Sequence, residues 1–156
     1  MFLGDDLTKL LYHSAFACYV KNRDGRYLYI NDAGSKMLGK SAAEVIGQTD
    51  ELLFTKEGFH TIAKEDAMTY YSSAPVTYTS AAKASALTNH PNFIAIKTKL
   101  KALRGHTSAL LGVAIYDLPN NPIQPDMIRA MHQILKRASD FEKAISGQDG
   151  SGFLHL

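Results

Sequence analysis

The sequence predicts an α+β domain, in which a β-hairpin is followed by short helices and then by three more strands. The hairpin is indicated by Asp24-Gly25, because both residues tolerate the positive φ of a tight turn between strands. The helices are indicated by a capping box, with Ser41 at the N-cap and Glu44 three residues later. The later strands are indicated by strand-forming residues at 75–80, by apolar residues that alternate with polar ones from 93 to 100, and by a nearly all-apolar run at 110–118. Gly105 predicts the turn between the last two strands.

The first two strands have clear ends. Aromatic and β-branched residues at 16–21 and 27–30 predict the two strands of the hairpin. Asn31 follows the second strand, and its side-chain oxygen can accept from the free N–H groups of a helix that starts there. Gly39 and Gly47 follow short helical stretches, where a left-handed residue commonly ends a helix. We therefore predict structural roles for Gly25, Gly39 and Gly47.

Four fragments follow one another in this segment: Asp24-Gly25-Arg26, Tyr29-Ile30-Asn31, Met37-Leu38-Gly39 and Glu44-Val45-Ile46-Gly47. In this order they resemble the first half of a PAS domain, a family of small sensory modules. The resemblance covers residues 14–118 and implies the PAS fold, a five-stranded antiparallel sheet with covering helices, whose last strand pairs with the first. It also implies that Asn31 is structural and ties the strand end to the next helix. The stretch 81–92 departs from it, because it is long and rich in Ala and Ser for a link between strands.

The chain divides into four predicted segments. Residues 1–13 form an N-terminal cap helix that packs on the sheet or on a partner subunit, and residues 14–118 form the PAS domain. Residues 119–146 combine a linker stiffened by prolines with a C-terminal signalling helix. Residues 147–156 form a flexible tail, which we interpret as the lead-in to a missing output domain.

The C-terminal helix has an apolar stripe at helical spacing. Such a face needs to be covered by the sheet or by a second subunit, because a large apolar surface is rarely left in water. We predict that this stripe mediates homodimerisation and signalling. Its main members are Met127, Met131, Ile134, Ala138 and Phe141.

Residues 56–70 predict a long helix whose apolar stripe includes Phe59, Ile62 and Tyr70, with the charged residues Glu65 and Asp66 mostly off the stripe. In the PAS resemblance this helix covers the sheet, and a lid over a concave sheet encloses a cavity.

The strand at 93–100 has two predicted faces. Ile94, Ile96, Thr98 and Leu100 share one face, and we interpret the opposite face, with Lys97, Lys99 and Lys101, as solvated. We predict that apolar side chains line a ligand pocket: Leu28, Ile30, Met37, Ile46, Phe54, Phe59, Ile62, Ile94, Ile96, Val113 and Ile115.

No cofactor is predicted. Flavin photosensors of the PAS family need a cysteine after the short helices, whereas Cys18 lies in the first strand, as expected of a small core residue. Haem-binding members use a histidine on the lid helix, where His60 is the one candidate ligand. The histidines lack the spacing of a metal site, and we predict none. Phosphate-binding loops and hydrolase motifs are also missing, so we predict no enzyme, with a small α+β isomerase as the alternative.

Composition restricts the partners and the compartment. The 156 residues carry a net charge of +2, which gives no case for nucleic-acid contact by this segment. One cysteine fits a reducing cytoplasm, and no apolar run approaches the ~20 residues of a membrane helix. We predict a cytoplasmic sensory domain that binds a small apolar ligand or relays a signal to an output domain, which is a DNA-binding regulator of the LuxR type. The alternatives are the input domain of a sensor histidine kinase and a ligand-free dimerisation module.

Overall fold

The computed structural model of the chain describes residues 5–79, 93–100, 108–116 and 120–148. In chain order its elements are α1 (Asp5–Tyr12), β1 (Ala17–Lys21), β2 (Tyr27–Ile30), α2 (Asp32–Leu38), α3 (Ala42–Val45), α4 (Asp50–Leu53), α5 (Lys56–Tyr71), β3 (Val76–Tyr78), β4 (Phe93–Leu100), β5 (Ala109–Tyr116) and α6 (Pro125–Gln148).

The five strands form one antiparallel sheet in the order β2-β1-β5-β4-β3. The last strand therefore pairs with the first, as predicted, and the α+β fold with its five-stranded antiparallel sheet is confirmed. The central pairing sets Cys18 of β1 opposite Val113 of β5 and Tyr19 opposite Gly112. Because side chains alternate along a strand, these two pairs lie on opposite faces of the sheet.

The outer face of the sheet is the side that α1 and α6 cover. Leu7 and Leu11 of α1 and Met131 and Leu135 of α6 are buried there in one apolar cluster with residues of β1, β4 and β5. The cap helix thus packs on its own sheet. The apolar stripe of α6 is likewise covered by the sheet of the same chain, with Ala138 fully buried.

The inner face is the side that α2 to α5 cover. A second apolar cluster joins Tyr27 and Ile30 of β2 to Leu38, Val45 and Leu53 of the three short helices. The capping box at the start of α3 is present, with the Ser41 hydroxyl accepting from the Glu44 backbone N–H at 3.2 Å. None of the described helices combines the length and the apolar composition needed to cross a bilayer.

Two predicted boundaries differ from the structure. The third strand is short, from Val76 to Tyr78, where we predicted residues 75–80. Helix α6 continues through Gly147 to Gln148, because one glycine in a helix costs only about 1 kcal/mol relative to alanine. The link at 81–92, the turn at Gly105, Lys101 and the tail from 149 lie outside the described residues.

Candidate functional site

A cavity of about 50 Å³ lies between the inner face of the sheet and helices α2 and α5. Its wall is mostly apolar and aromatic, with two lysines at one end. Because a water molecule needs roughly 10–15 Å³ on this measure, the cavity holds a few waters or a ligand of a few heavy atoms. The described lining residues are Ala17, Tyr19, Lys21, Tyr27, Ile30, Gly34, Met37, Leu38, Phe54, Ile62, Phe93, Lys97, Ala114 and Tyr116.

Four of the predicted pocket residues line this cavity: Ile30, Met37, Phe54 and Ile62. They come from β2, from α2, from the end of α4 and from α5. The carbonyl of Met37 also accepts a hydrogen bond from the Tyr116 hydroxyl at 2.7 Å, which joins the end of α2 to β5. The structure therefore brings together the predicted pocket residues of the helical half.

Five other predicted pocket residues lie on the outer face, so the prediction that they line the cavity is wrong for these five. The alternation along β4 is real, but Phe93 and Lys97 face the cavity whereas the isoleucines face α1 and α6. The sequence could not distinguish the faces because both are covered by helices. The outer-face residues are Leu28, Ile94, Ile96, Val113 and Ile115.

The last two predicted pocket residues also lie outside the cavity. Ile46 is exposed at the end of α3. Phe59 lines a separate open groove on the other side of α5. The side of α5 that faces the sheet differs from the predicted stripe, since the buried positions of α5 are Gly58, Ile62, Glu65 and Thr69.

Five charged side chains form a buried network at the end of the cavity, which we call the ion cluster: Lys21, Asp50, Glu65, Asp66 and Lys97. The Lys21 ammonium lies 2.5 Å from a carboxylate oxygen of Asp50 and 2.6 Å from one of Asp66. The Lys97 ammonium lies 2.8 Å from the other oxygen of Asp66 and 3.1 Å from Glu65. Asp66 therefore bridges the two lysines, and the cluster links β1 and β4 to α4 and α5.

Local hydrogen bonds place Asp50 beside β2. The Tyr27 backbone N–H donates to the carbonyl of Gln48, and the Gly47 N–H donates to the carbonyl of Tyr27. These bonds hold the start of α4 against the strand, where the Tyr27 hydroxyl donates to Asp50 at 2.6 Å. The Lys21 ammonium also lies 5.3 Å from the centroid of the Tyr27 ring, within the range of a cation–π contact.

The end of the cluster near β3 is closed by hydroxyl groups. The Tyr78 hydroxyl donates to the backbone carbonyl of Glu65 at 3.0 Å, and it lies 3.0 Å from the Thr69 hydroxyl. The Lys97 ammonium lies 5.3 Å from the Tyr78 ring centroid. Buried polar groups are costly unless they are hydrogen-bonded, and these bonds satisfy the two hydroxyls and the Glu65 carbonyl, whereas the charges satisfy one another through the ion pairs.

The paired charges shift the pKa values of Lys21, Lys97 and Asp66, each in the direction that favours the ionised form. Burial disfavours the ammonium of Lys21, but the carboxylates of Asp50 and Asp66 outweigh burial and the pKa of Lys21 is raised. Burial opposes the charge of Lys97 as well, and Asp66 and Glu65 raise its pKa. Burial favours the neutral form of Asp66, yet the two lysines together lower its pKa.

The sequence analysis missed this cluster. Lys97 is only 2% exposed, so the interpretation of its strand face as solvated is wrong, and Lys99 is half-buried with its ammonium on the carbonyl of Tyr70. Glu65 and Asp66 also point inward. A usable signal existed, because Phe93, Ala95 and Lys97 share a face and a lysine in phase with core residues needs an acidic partner.

The residues with predicted structural roles lie at the expected positions. The Asn31 side-chain oxygen accepts from the backbone N–H groups of Cys18 and Gly34, both at 2.9 Å, and its amide donates to the carbonyls of Leu11 and Phe16. This one side chain therefore joins α1, β1 and α2. The glycines of the predicted turn and helix ends adopt positive φ: Gly25, Gly39 and Gly47.

Another glycine matters because of a close approach. A Cβ atom on Gly112 would lie 2.1 Å from the Cζ atom of Tyr19, which faces it across the β1–β5 pair. The missing side chain leaves room for the Tyr19 ring to cross β5 and form part of the cavity wall.

The residues at hand do not fit haem or a flavin thiol adduct. His60 is exposed and does not line the cavity, and a cavity of about 50 Å³ is far below the ~300–1,000 Å³ of sites for larger ligands. Cys18 belongs to the outer-face cluster, where burial raises the pKa of its thiol to about 11. Within the described ranges, no three His, Cys, Asp or Glu side chains are arranged to hold a metal ion.

Comparisons with known proteins agree on the architecture. Residues 11–81 match a family model described as the PAS fold. A sensory box sensor histidine kinase from Vibrio cholerae has a similar structure, with 13% identity and a TM-score of 0.56 over 76% of this chain and 90% of that one. The PAS domain of a protein from Colwellia psychrerythraea gives 15% identity and a TM-score of 0.55 over 71% and 93% of the two chains.

The PAS-B domain of Drosophila melanogaster Cycle, solved with bound ethylene glycol, is similar over 64% of this chain and 98% of that one, with 12% identity and a TM-score of 0.51. No curated protein matches the sequence. At these identities the similarity establishes the fold.

Proposed function

We propose that this chain, which has the PAS fold, is a sensory domain that binds a small, mostly apolar molecule in the cavity and passes the signal to an output domain through α6. The single observation that carries the proposal is that the cavity and α6 lie on opposite faces of β4 and β5. On β5, Ala114 lines the cavity, whereas the adjacent Val113 packs in the cluster that contains Met131 and Leu135 of α6.

The ion cluster gives the sensor a defined response. It connects the lid helix α5 to β4 through Lys97, and Lys97 itself lines the cavity. A ligand that moves Lys97 or Ile62 changes how α5 sits on the sheet. Coupling free energies between two sites are typically about 1–3 kcal/mol, which is sufficient to shift an output equilibrium.

The size and lining of the cavity define the ligand class. With about 50 Å³ and walls such as Met37, Phe54 and Phe93, the cavity suits an uncharged molecule of a few heavy atoms. The lysine ammonium groups already have carboxylate partners, so they do not require an anionic ligand.

The proposal is tested by measuring whether small apolar molecules occupy the cavity. Xenon and isopropanol should give saturable NMR shifts at the amides of Phe93 and Ala114, and native mass spectrometry of gently purified protein identifies a retained ligand. The variant Ala114→Leu fills the cavity and should abolish the saturable shifts. The control Ala43→Leu adds the same atoms on an exposed position of α3 and should change nothing. Linear shifts in all three proteins would refute the cavity as a binding site.

For the output we infer a DNA-binding transcriptional regulator in the cytoplasm. The support is the resemblance of residues 152–156 to the lead-in to a LuxR-type helix-turn-helix and the single cysteine of the chain. The alternative of a sensor histidine kinase is supported by the name of the similar Vibrio cholerae protein. A gel-shift assay on the full-length protein should detect DNA binding, whereas autophosphorylation on a histidine would assign the kinase.

We also propose a homodimer, with a corrected interface. Met131 and Ala138 belong to the chain's own core, so the predicted dimer stripe is largely used within the chain. Its half-buried members Ile134 and Phe141 lie at the edge of the cluster, where a second subunit can reach them. Phe141→Asp should convert dimers to monomers in analytical ultracentrifugation, and unchanged dimers would refute this interface.

A further inference from the structure

An open groove of about 500 Å³ lies on the side of α5 away from the cavity. Its walls are the turn between β1 and β2, the start of α4 and the exposed side of α5, and Leu110 of β5 contributes to its floor. Its volume is in the range of small-molecule sites. We propose that this groove is a second binding site and that its ligand is a small organic cation carrying a guanidinium or ammonium group.

The charge of the groove favours a cation. Among the described lining residues, four are acidic and two are basic. Asp50 and Asp66 form the floor as members of the ion cluster, and their side chains are 6% and 16% exposed. Asp24 and Glu51 stand at the rim and are exposed. The two lysines of the ion cluster already neutralise Asp50 and Asp66. The negative potential that attracts cations therefore comes from Asp24 and Glu51 at the rim.

The aromatic side chains supply a second feature of cation sites. Phe59, Tyr70 and Tyr71 line the groove, and Tyr71 is 91% exposed. Rings beside carboxylates attract organic cations because the face of an aromatic ring is electronegative. Two alanines of α5, Ala63 and Ala67, leave the space between these rings and the floor open.

The molecule itself shows that this surface takes a guanidinium group. The Cζ atom of Arg23, an exposed turn residue, lies 4.2 Å from the centroid of the Tyr70 ring. Arg23 therefore occupies the aromatic face as an internal cation. An external guanidinium that binds there must displace it.

The groove is connected to the cavity by one side chain. Lys21 lines both, and its ammonium holds Asp50 and Asp66 on the groove floor. A cation in the groove therefore acts on the same lysine that forms the end of the cavity. The site does not depend on whether the cavity binds a ligand.

The test uses a matched pair of probes, butylguanidinium and the neutral butylurea, which have nearly the same shape. Calorimetric titration at low ionic strength should detect binding of butylguanidinium only, with NMR shifts at the amides of Ala63 and Ala67. Equal binding of butylurea, or shifts centred on Phe93 and Ala114 in the cavity, would overturn the proposal.

Variants make the test specific. Arg23→Ala removes the internal competitor and should tighten butylguanidinium binding about twofold to fivefold, the value of an exposed cation–π contact. Arg129→Ala removes the same charge from an exposed site on α6 and is the control. Equal affinities in the two variants would overturn the competition.

Substitutions at the aromatic face complete the test. Tyr70→Phe keeps the ring and should retain binding, whereas Tyr70→Leu removes it and should weaken binding about fivefold or more. Should Tyr70→Leu fail to fold, the rim variant Glu51→Gln replaces it, with about a twofold loss expected. Full affinity in a folded Tyr70→Leu protein, or in Glu51→Gln, would refute the site.

Discussion

The two faces of the sheet are built from the same strands but by opposite means. The outer face is an apolar seam in which residues such as Val20, Leu111 and Leu135 are almost fully buried. The inner face contains the ion cluster, several tyrosines and a cavity. The outer face therefore gains its stability from close apolar packing, whereas the inner face contains buried charges and a cavity.

The difference separates stability from function. Each large aliphatic side chain on the outer face contributes roughly 1.5–3 kcal/mol from burial. A buried ion cluster contributes little net stability compared with apolar residues of the same size, because desolvation offsets the attraction. The cluster instead requires that Lys21 and Lys97 meet carboxylates from α4 and α5, which fixes how these helices sit on the sheet. We infer that the inner face is specialised for a defined response.

The largest effect is expected when the ion cluster loses one partner. Lys97→Met removes the ammonium that pairs with Glu65 and Asp66 in a buried site, and it should lower the free energy of unfolding by about 3–5 kcal/mol in urea titrations. Lys136→Met removes an exposed lysine from α6 and should change stability by less than about 0.5 kcal/mol.

A second substitution sharpens this result. Lys97→Met combined with Glu65→Met also removes the carboxylate that lost its pairing with Lys97, and it should recover part of the loss, about 1–2 kcal/mol, because Asp66 still has Lys21. If Lys97→Met alone behaves like Lys136→Met, the cluster is not buried in solution and the contrast between the faces fails.

Next in size is a cavity made on the outer face. Leu135→Ala should destabilise the domain by about 2–4 kcal/mol, since the buried side chain is lost and the neighbours close only part of the space. Binding of xenon in the inner cavity should be unchanged under native conditions. A loss of xenon binding in a folded Leu135→Ala protein would contradict the separation of the two faces.

A smaller effect is expected from crowding the inner face. Gly112→Ala places a methyl group against the Tyr19 ring and should cost about 1–3 kcal/mol, the usual penalty for overpacking. The shift of the ring should appear in the Tyr19 resonances and should reduce occupancy of the cavity. Unchanged Tyr19 resonances would show that the ring does not lie across β5.

The smallest expected difference between the two faces is in how their contributions to stability depend on pH. The pKa of Asp66 is lowered from its ordinary 3.8, so its contribution to stability is present above pH 3.8 and is lost as the pH falls through the lower folded value. The pKa of each buried lysine is raised from 10.5, so that contribution is present below pH 10.5 and is lost at higher pH. On the outer face, the raised pKa of Cys18 affects only the alkaline side.

Acid unfolding therefore distinguishes the inner face from the outer face. Asp66→Asn should flatten the fall in stability at acid pH, whereas Cys18→Ala should leave its slope unchanged, as followed by urea midpoints between pH 2.5 and 6 (about four points suffice). The lowered pKa of Glu44 in the capping box contributes to the acid slope equally in both variants. Equal acid slopes in the two proteins would remove the ion cluster as the source.

Local signals made the elements predictable. The Asp24-Gly25 turn, the Ser41 capping box and the glycines at helix ends act through neighbouring residues, so their effect is readable from the chain. The pairing of the last strand with the first came from the family resemblance. The helical half of the cavity was also predicted, through Met37 and Ile62.

The charged part of the site was not predictable in the same way. The ion pairs join residues 29 to 45 positions apart, such as Lys21 with Asp50 and with Asp66. A lysine or glutamate on its own indicates solvent, because burying an unpaired charge is prohibitive. A buried lysine is tolerated only when a carboxylate pairs with it, and the tertiary fold determines which carboxylate lies close enough.

By itself, the sequence determined the order of strands and helices and the presence of two alternating faces on β4, because these depend on turns, caps and a two-residue period. The tertiary structure decided which face encloses the cavity and which carries α6. Both faces of β4 are covered by helices, so hydrophobicity alone could not distinguish them. The inner face is the one on which Lys97 meets Glu65 and Asp66, and these partners come from a distant part of the chain.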